Sequence, residues 1–152
     1  MKKFSFSLDR VLAWRRSERE LVQAGMGKLI AEREALASRA DSIRDERAVY
    51  ERSLANALYF DGGSVQTLPH WQKRVEKSLT ELAAQMVQVR VRMEQQMERL
   101  REAELKVKLL EKLRERRVSE WKTALNLEEE NQAAEAYLAR FARLKRAPDA
   151  GA

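Results

Sequence analysis

The chain has 152 residues, with 30 Lys and Arg, 24 Asp and Glu, one His, no Cys and a formal charge of +6 at pH 7. Without cysteine there is no disulfide framework, thiolate metal site or cysteine nucleophile, and a single His excludes a His-rich zinc site or a His-pair mechanism. Ala, Glu, Lys, Leu and Arg number 89, above the roughly 50% at which composition alone indicates long helices or a coiled coil. Five Gly and two Pro supply too little turn chemistry for a many-stranded sheet.

The length fits one domain. The start, Met1-Lys2-Lys3-Phe4-Ser5-Phe6-Ser7-Leu8, opens like a signal peptide, but Asp9 and Arg10 interrupt any apolar core. It is therefore expected to be retained, with no export by that route. The first long segment, about residues 5–60, carries a seven-residue series: Leu8, Arg15, Val22, Leu29, Leu36, Ile43, Tyr50 and Ala57. Its companion series has Leu12, Met26, Ala40 and Leu54 separated by Arg19, Arg33 and Arg47. Those arginines can lay their methylene stems along a seam and send their charged heads to water.

Asp61-Gly62-Gly63-Ser64 is the one strong break, and it tolerates turn geometry. Pro69 suits a first helical turn, so the second helix is expected to begin at Thr67 to Pro69 and run to about residue 145. Here the seam reads Leu79, Met86, Met93, Leu100, Val107, Arg114 and Trp121, alternating with Val75, Leu82, Val89, Gln96, Ala103, Leu110 and Arg117. This is the a/d spacing of a coiled coil. After Trp121 the phase shifts, and Ala134, Tyr137, Phe141 and Leu144 take it up again. The tail, Ala147 to Ala152, has no apolar anchor and is expected to fray.

These elements predict an all-α fold: two long helices, roughly 80 and 115 Å at 1.5 Å per residue, forming one antiparallel coiled-coil hairpin over residues 1–146. A short loop makes its flanking helices antiparallel neighbours. Because one chain satisfies its own seam, the protein is expected to be a monomer when alone. No apolar run is long enough to span a membrane, so no direct membrane insertion is expected.

Few residues suggest chemistry. Gly25-Met26-Gly27-Lys28 lacks the first Gly, the trailing Ser or Thr and the preceding strand of a phosphate loop. It reads as two helical glycines that permit close helix approach or bending. His70, beside Pro69 and Trp71, suits capping or exposure rather than metal binding. Glu128-Glu129-Glu130 reads as a solvated face, since adjacent helical residues do not converge. Accordingly, no cofactor, metal site or catalytic residue is assigned, and a rod offers no interior for a catalytic pocket.

Three features read more sharply. Lys106, Lys108, Lys112, Arg114, Arg116, Arg117 and Lys122 outnumber the acids around them, and folding brings them toward Arg10, Arg15, Arg16 and Arg19. This is either a soluble helix surface or a basic stem for an acidic partner. Leu105 and Leu109 fall outside the seam; drift of the partner helix around the rod is expected to cover them, and otherwise they form a docking stripe. Tyr50, Leu54, Tyr59, Phe60, Leu68 and Trp71 gather aromatic mass at the hairpin end, for turn packing or for an interface.

The sequence resembles the flagellar FliJ family, small helical proteins of the flagellar type III export apparatus. The resemblance begins at Phe4-Ser5-Phe6-Ser7-Leu8-Asp9-Arg10-Val11-Leu12 and Arg15-Arg16. It recurs at Leu110-Glu111-Lys112-Leu113-Arg114-Glu115-Arg116-Arg117 and at Glu128-Glu129-Glu130-Asn131. It implies a non-enzymatic cytoplasmic coiled coil similar to the central stalk of rotary ATPases, associated peripherally with the inner face of the membrane. The implied partners are the export ATPase hexamer, the export-gate membrane protein and export chaperones. For the gate, Tyr50, Trp71 and Val75 match family positions near the hairpin tip, with Ile43 and Leu82 as weaker matches. The chain departs from the family's aromatic and His pattern there with Glu46 and Leu82.

Residue placement suggests that the ring contact uses Val11, Trp14, Arg15, Arg16, Arg19, Arg114, Arg116, Arg117 and Trp121. Other readings are the stalk of a related injectisome and a hairpin chaperone or scaffold unrelated to secretion. The N-terminal Phe-x-Phe-x-Leu favours the flagellar branch, and no β-domain accompanies the helices as in prefoldin-like chaperones. Nucleic-acid binding, suggested by the basic pI, is not expected, because acids are interleaved and no basic arm exists.

Overall fold

The computed structural model describes residues 3–57 and 62–146, apart from the side chains of residues 64 and 65. The connection at 58–61, Tyr59, Phe60 and the tail from Ala147 lie outside the described residues. Two helices, α1 (Asp9–Ala55) and α2 (Gly62–Arg146), pack against each other as a helical hairpin. Strong helix formers fill both elements. Asp9 in the first turn of α1, and Arg143, Lys145 and Arg146 in the last turn of α2, complement the helix dipoles. At the start of α1, the Asp9 amide donates to the Phe6 carbonyl at 3.1 Å and the Leu12 amide to the Leu8 carbonyl at 2.8 Å.

The second helix begins at Gly62, earlier than the expected Thr67 to Pro69, and Pro69 lies inside it. Pro69 cannot donate to the carbonyl four residues upstream. Pro69 and His70 are exposed. The Thr67 hydroxyl donates to the Gly63 carbonyl at 3.2 Å in the same opening turns.

The chain divides into two compact units. The first spans Arg16–Glu104. In it, Val22, Glu32 and Tyr50 of α1 meet Gln96, Arg92 and Trp71 of α2 in turn. That reversal of order is the antiparallel register. Met26, Ala40, Leu82, Val89 and Ala103 are its buried core, all at predicted seam positions. Gln96 is the polar exception: its Nε2 donates to the Val22 carbonyl at 3.0 Å. A polar residue at one seam position costs stability but fixes register.

The two helical glycines differ. A Cβ on Gly25 would come within 2.6 Å of Gln96 Nε2, whereas one on Gly27 would meet nothing within 4 Å. Gly25 thus supports the close approach that the Gln96 bond needs, and Gly27 has no such role. Gly27→Ala is expected to raise stability by about 0.5–1 kcal/mol, the helix-propensity gain. Gly25→Ala should come out near neutral, because displacing the Gln96 amide offsets that gain. Paired thermal melts followed by circular dichroism check this; equal stabilisation by both substitutions would show that the Gln96 bond contributes nothing.

The seam arginines separate in the same unit. Arg19 is half-buried, and its Nε has no hydrogen-bond partner among the described residues. Arg47 donates to Glu51 at 2.8 Å, and that hydrogen bond, followed by the charge of Glu51, raises its pKa above the ordinary value. Arg33 is exposed beside an open groove of about 750 Å³ lined by Met26, Met86, Met93 and Met97.

The second unit joins the start of the chain to α2 from Leu105 onward. Its core is Phe6, Leu12 and Val107, the last only 1% exposed. Beyond Val107 the half-buried positions are Leu110, Glu111, Val118, Trp121 and Leu125. Val118, rather than the predicted Arg117, turns inward. The step from Val107 to Val118 is an eleven-residue one, which relaxes the heptad winding. Leu105 and Leu109 each remain 59% exposed, so drift of the partner helix does not cover them. Each lies two positions, about 200° of helix, past a buried residue, which places it on the far side.

Candidate partner-contact surfaces

The first surface lies in the unit built from the chain start and the later part of α2. Residues 3–8 precede the helix and lie along α2. Phe6 is buried, and Phe4 tilts against Trp121 with ring centroids 5.9 Å apart. An open cleft of about 620 Å³ runs between this leader and Leu113, Arg117, Glu120 and Trp121. Arg114 ties the arrangement together: its Nε stands 3.5 Å from Asp9 Oδ1, and its guanidinium lies 5.9 Å from the Phe4 ring centroid. Arg116 and Arg117 both reach Glu120, at 3.1 and 3.3 Å. One carboxylate therefore faces two guanidinium groups, leaving a local excess of positive charge.

Val11 and Trp14 face outward on α1, with Trp14 58% exposed and the Arg15 guanidinium 4.4 Å over its ring. An exposed Trp capped by Arg is a ready anchor for a partner, since these residue types dominate interface energetics. Trp121 is half-buried under Phe4 and belongs more to the scaffold than to the outer face. Arg16, exposed, and Arg19, half-buried, fall in the other unit.

The second surface lies in the Arg16–Glu104 unit. Tyr50 and Trp71 stack on each other with centroids 4.3 Å apart and planes inclined by 45°. Both are half-buried, as are Ile43 and Val75. Leu82 is buried in the seam, so it supports this face from beneath. Val49, beside the stack, is exposed. Heptad counting did not single it out, nor Leu21, Val87 and Val91, which are also exposed; their positions outside the a/d series were the available signal.

Among the described residues, no group of three or more His, Asp or Glu is placed to hold a metal, and no helix is long and apolar enough to cross a membrane. What the described residues present is exposed surface on an antiparallel helical hairpin. The family model described as "Flagellar FliJ protein" matches residues 4–146, and the chain belongs to that family. It is thereby a component of the flagellar export apparatus, in a family that is non-catalytic. No curated protein and no solved structure matches the chain.

Proposed function

We propose that the chain is a central-stalk-like coiled coil that links the export ATPase ring to the export gate and escorts export chaperones. It would work in the cytoplasm, held at the inner face of the membrane by those partners. The observation that carries this reading is the Arg-capped, exposed Trp14 in the unit where Arg114, Arg116 and Arg117 outnumber their carboxylates. Such a surface fits an acidic, partly apolar lining, as the inside of a ring would supply. The ring contact then rests on Val11, Trp14, Arg15, Arg114, Arg116 and Arg117, with Trp121 holding the scaffold.

The gate contact is assigned to the face around Tyr50, Trp71, Val75 and Ile43, in the other compact unit. Separate units leave each partner its own surface. The direct test is reconstitution: the purified chain is titrated into the assembled export ATPase and, separately, into the cytoplasmic part of the gate protein. Saturable binding to both, with the chain bridging them in one sedimenting species, is the expected result. Binding to neither overturns the stalk reading.

A further inference from the structure

Among the described residues, none covers the last stretch of α2: every residue from Asn126 to Arg146 is exposed. It nevertheless keeps an apolar stripe. Leu127, Ala134 and Phe141 repeat every seven residues; Tyr137 and Leu144 follow the last two by three residues, while Glu130 holds the equivalent place after Leu127. Tyr137 is 70% exposed and Leu144 66% exposed. The expectation of a self-satisfied seam therefore holds only as far as Leu125.

Charge along the same stretch is polarised. Glu128, Glu129, Glu130 and Glu135 occupy its first half, and Arg140, Arg143, Lys145 and Arg146 its second. The stretch is thus complementary to itself when reversed. Laid antiparallel on a second copy, it sets acid beside base at both ends, Leu127 opposite Leu144, and small Ala134 opposite large Tyr137. A parallel arrangement would set like charge on like.

We propose that two copies of this chain associate through residues 126–146 of α2, paired antiparallel about a two-fold axis. The interface is isologous, each copy presenting the same patch, so assembly closes at two. Three heptads make a short coiled coil, and the dimer accordingly forms at high protein concentration rather than at dilution. Its end pairs are solvent-exposed and screened by salt. This pairing is a property of the chain alone, so its failure leaves the ring and gate readings untouched.

Sedimentation equilibrium of the full chain, from roughly 1 to 200 µM, tests the proposal. The weight-average mass should rise from 17.7 kDa toward twice that value, and about 0.5 M salt should weaken association roughly tenfold. Arg140→Glu with Arg143→Glu should weaken it at least as much; adding Glu128→Lys and Glu129→Lys to the same chain should restore it. Tyr137→Ser with Phe141→Ser should abolish it, with ellipticity as the folding control. Because the chain has no cysteine, Leu127→Cys and Leu144→Cys chains can be mixed and joined by a short bismaleimide. Cross-links between the two unlike chains are expected. A mass constant at the monomer value, growth beyond two copies, or preferential linking of Leu127→Cys chains to each other would overturn the antiparallel dimer.

Discussion

Replacing Arg114, Arg116 and Arg117 together by Glu is expected to lower affinity for the export ATPase ring by roughly tenfold to a hundredfold, about 1.4–2.8 kcal/mol. Salt dependence of the remaining binding should flatten, since fewer complementary charges are left to be screened. Helicity should stay near that of the parent chain. Arg116 and Arg117 are exposed and share Glu120, and exposed pairs each contribute only about 0.2–1 kcal/mol to folding.

Arg114 needs a control of its own. It pairs with Asp9 and lies beside Phe4, so Arg114→Glu sets two carboxylates against each other and loosens the leader. A variant carrying only Arg116→Glu and Arg117→Glu leaves that tie in place and should still lose most of the affinity. Trp14→Ala, which removes the exposed ring under Arg15, should add a further loss without moving the melting temperature. Unchanged ring affinity in the folded triple variant would remove this surface from consideration.

The double replacement Tyr50→Ala, Trp71→Ala is expected to abolish binding to the export gate and to reduce motility, while ring binding stays near normal. A cost to the fold must accompany it. The two rings stack at 4.3 Å and both are half-buried. Such a pair stabilises by about 0.5–1.5 kcal/mol beyond the area it buries. Trp71→Phe, which keeps an aromatic pair, separates the two roles: it should retain most stability and lose part of the gate affinity. If the double variant folds and binds the gate as well as the parent chain, the stack serves only to close the hairpin. If it loses both partners along with its helicity, the same conclusion holds.

Much of this architecture was legible in the residue order alone. Helix-forming composition and the three-and-four alternation of apolar side chains require a partner helix, and one break between two long segments supplies that partner from the same chain, although Gly62 and Gly63, read as the turn, belong to the first turn of α2. The seam positions Met26, Ala40, Leu82, Val89, Ala103 and Val107 are buried as the heptads predict, because burial on a helix follows from periodicity. The family was legible too, in the leader and the Leu110 to Arg117 string. Contact surfaces were less so. A heptad count ranks positions by distance from the seam, but it does not say where the partner helix stops or when the winding changes.

Those were decided by tertiary structure. The eleven-residue step brings Val118 inward in place of Arg117, and Leu105 and Leu109 are left outside, since inward facing depends on the local winding of both helices. The leader alternates as Phe4-Ser5-Phe6-Ser7-Leu8, outside any helical period, and only packing shows Phe6 buried and Phe4 on Trp121. Gln96 is a polar residue at a seam position, and only the packing against Gly25 shows its amide donating to the Val22 carbonyl. Tyr50 and Trp71 carry the same apolar mass whether free or stacked, and pairing across the hairpin is what half-buries them. Periodicity is a property of one helix and can be read from one segment; cover is a property of two, and it is known only once both are in place.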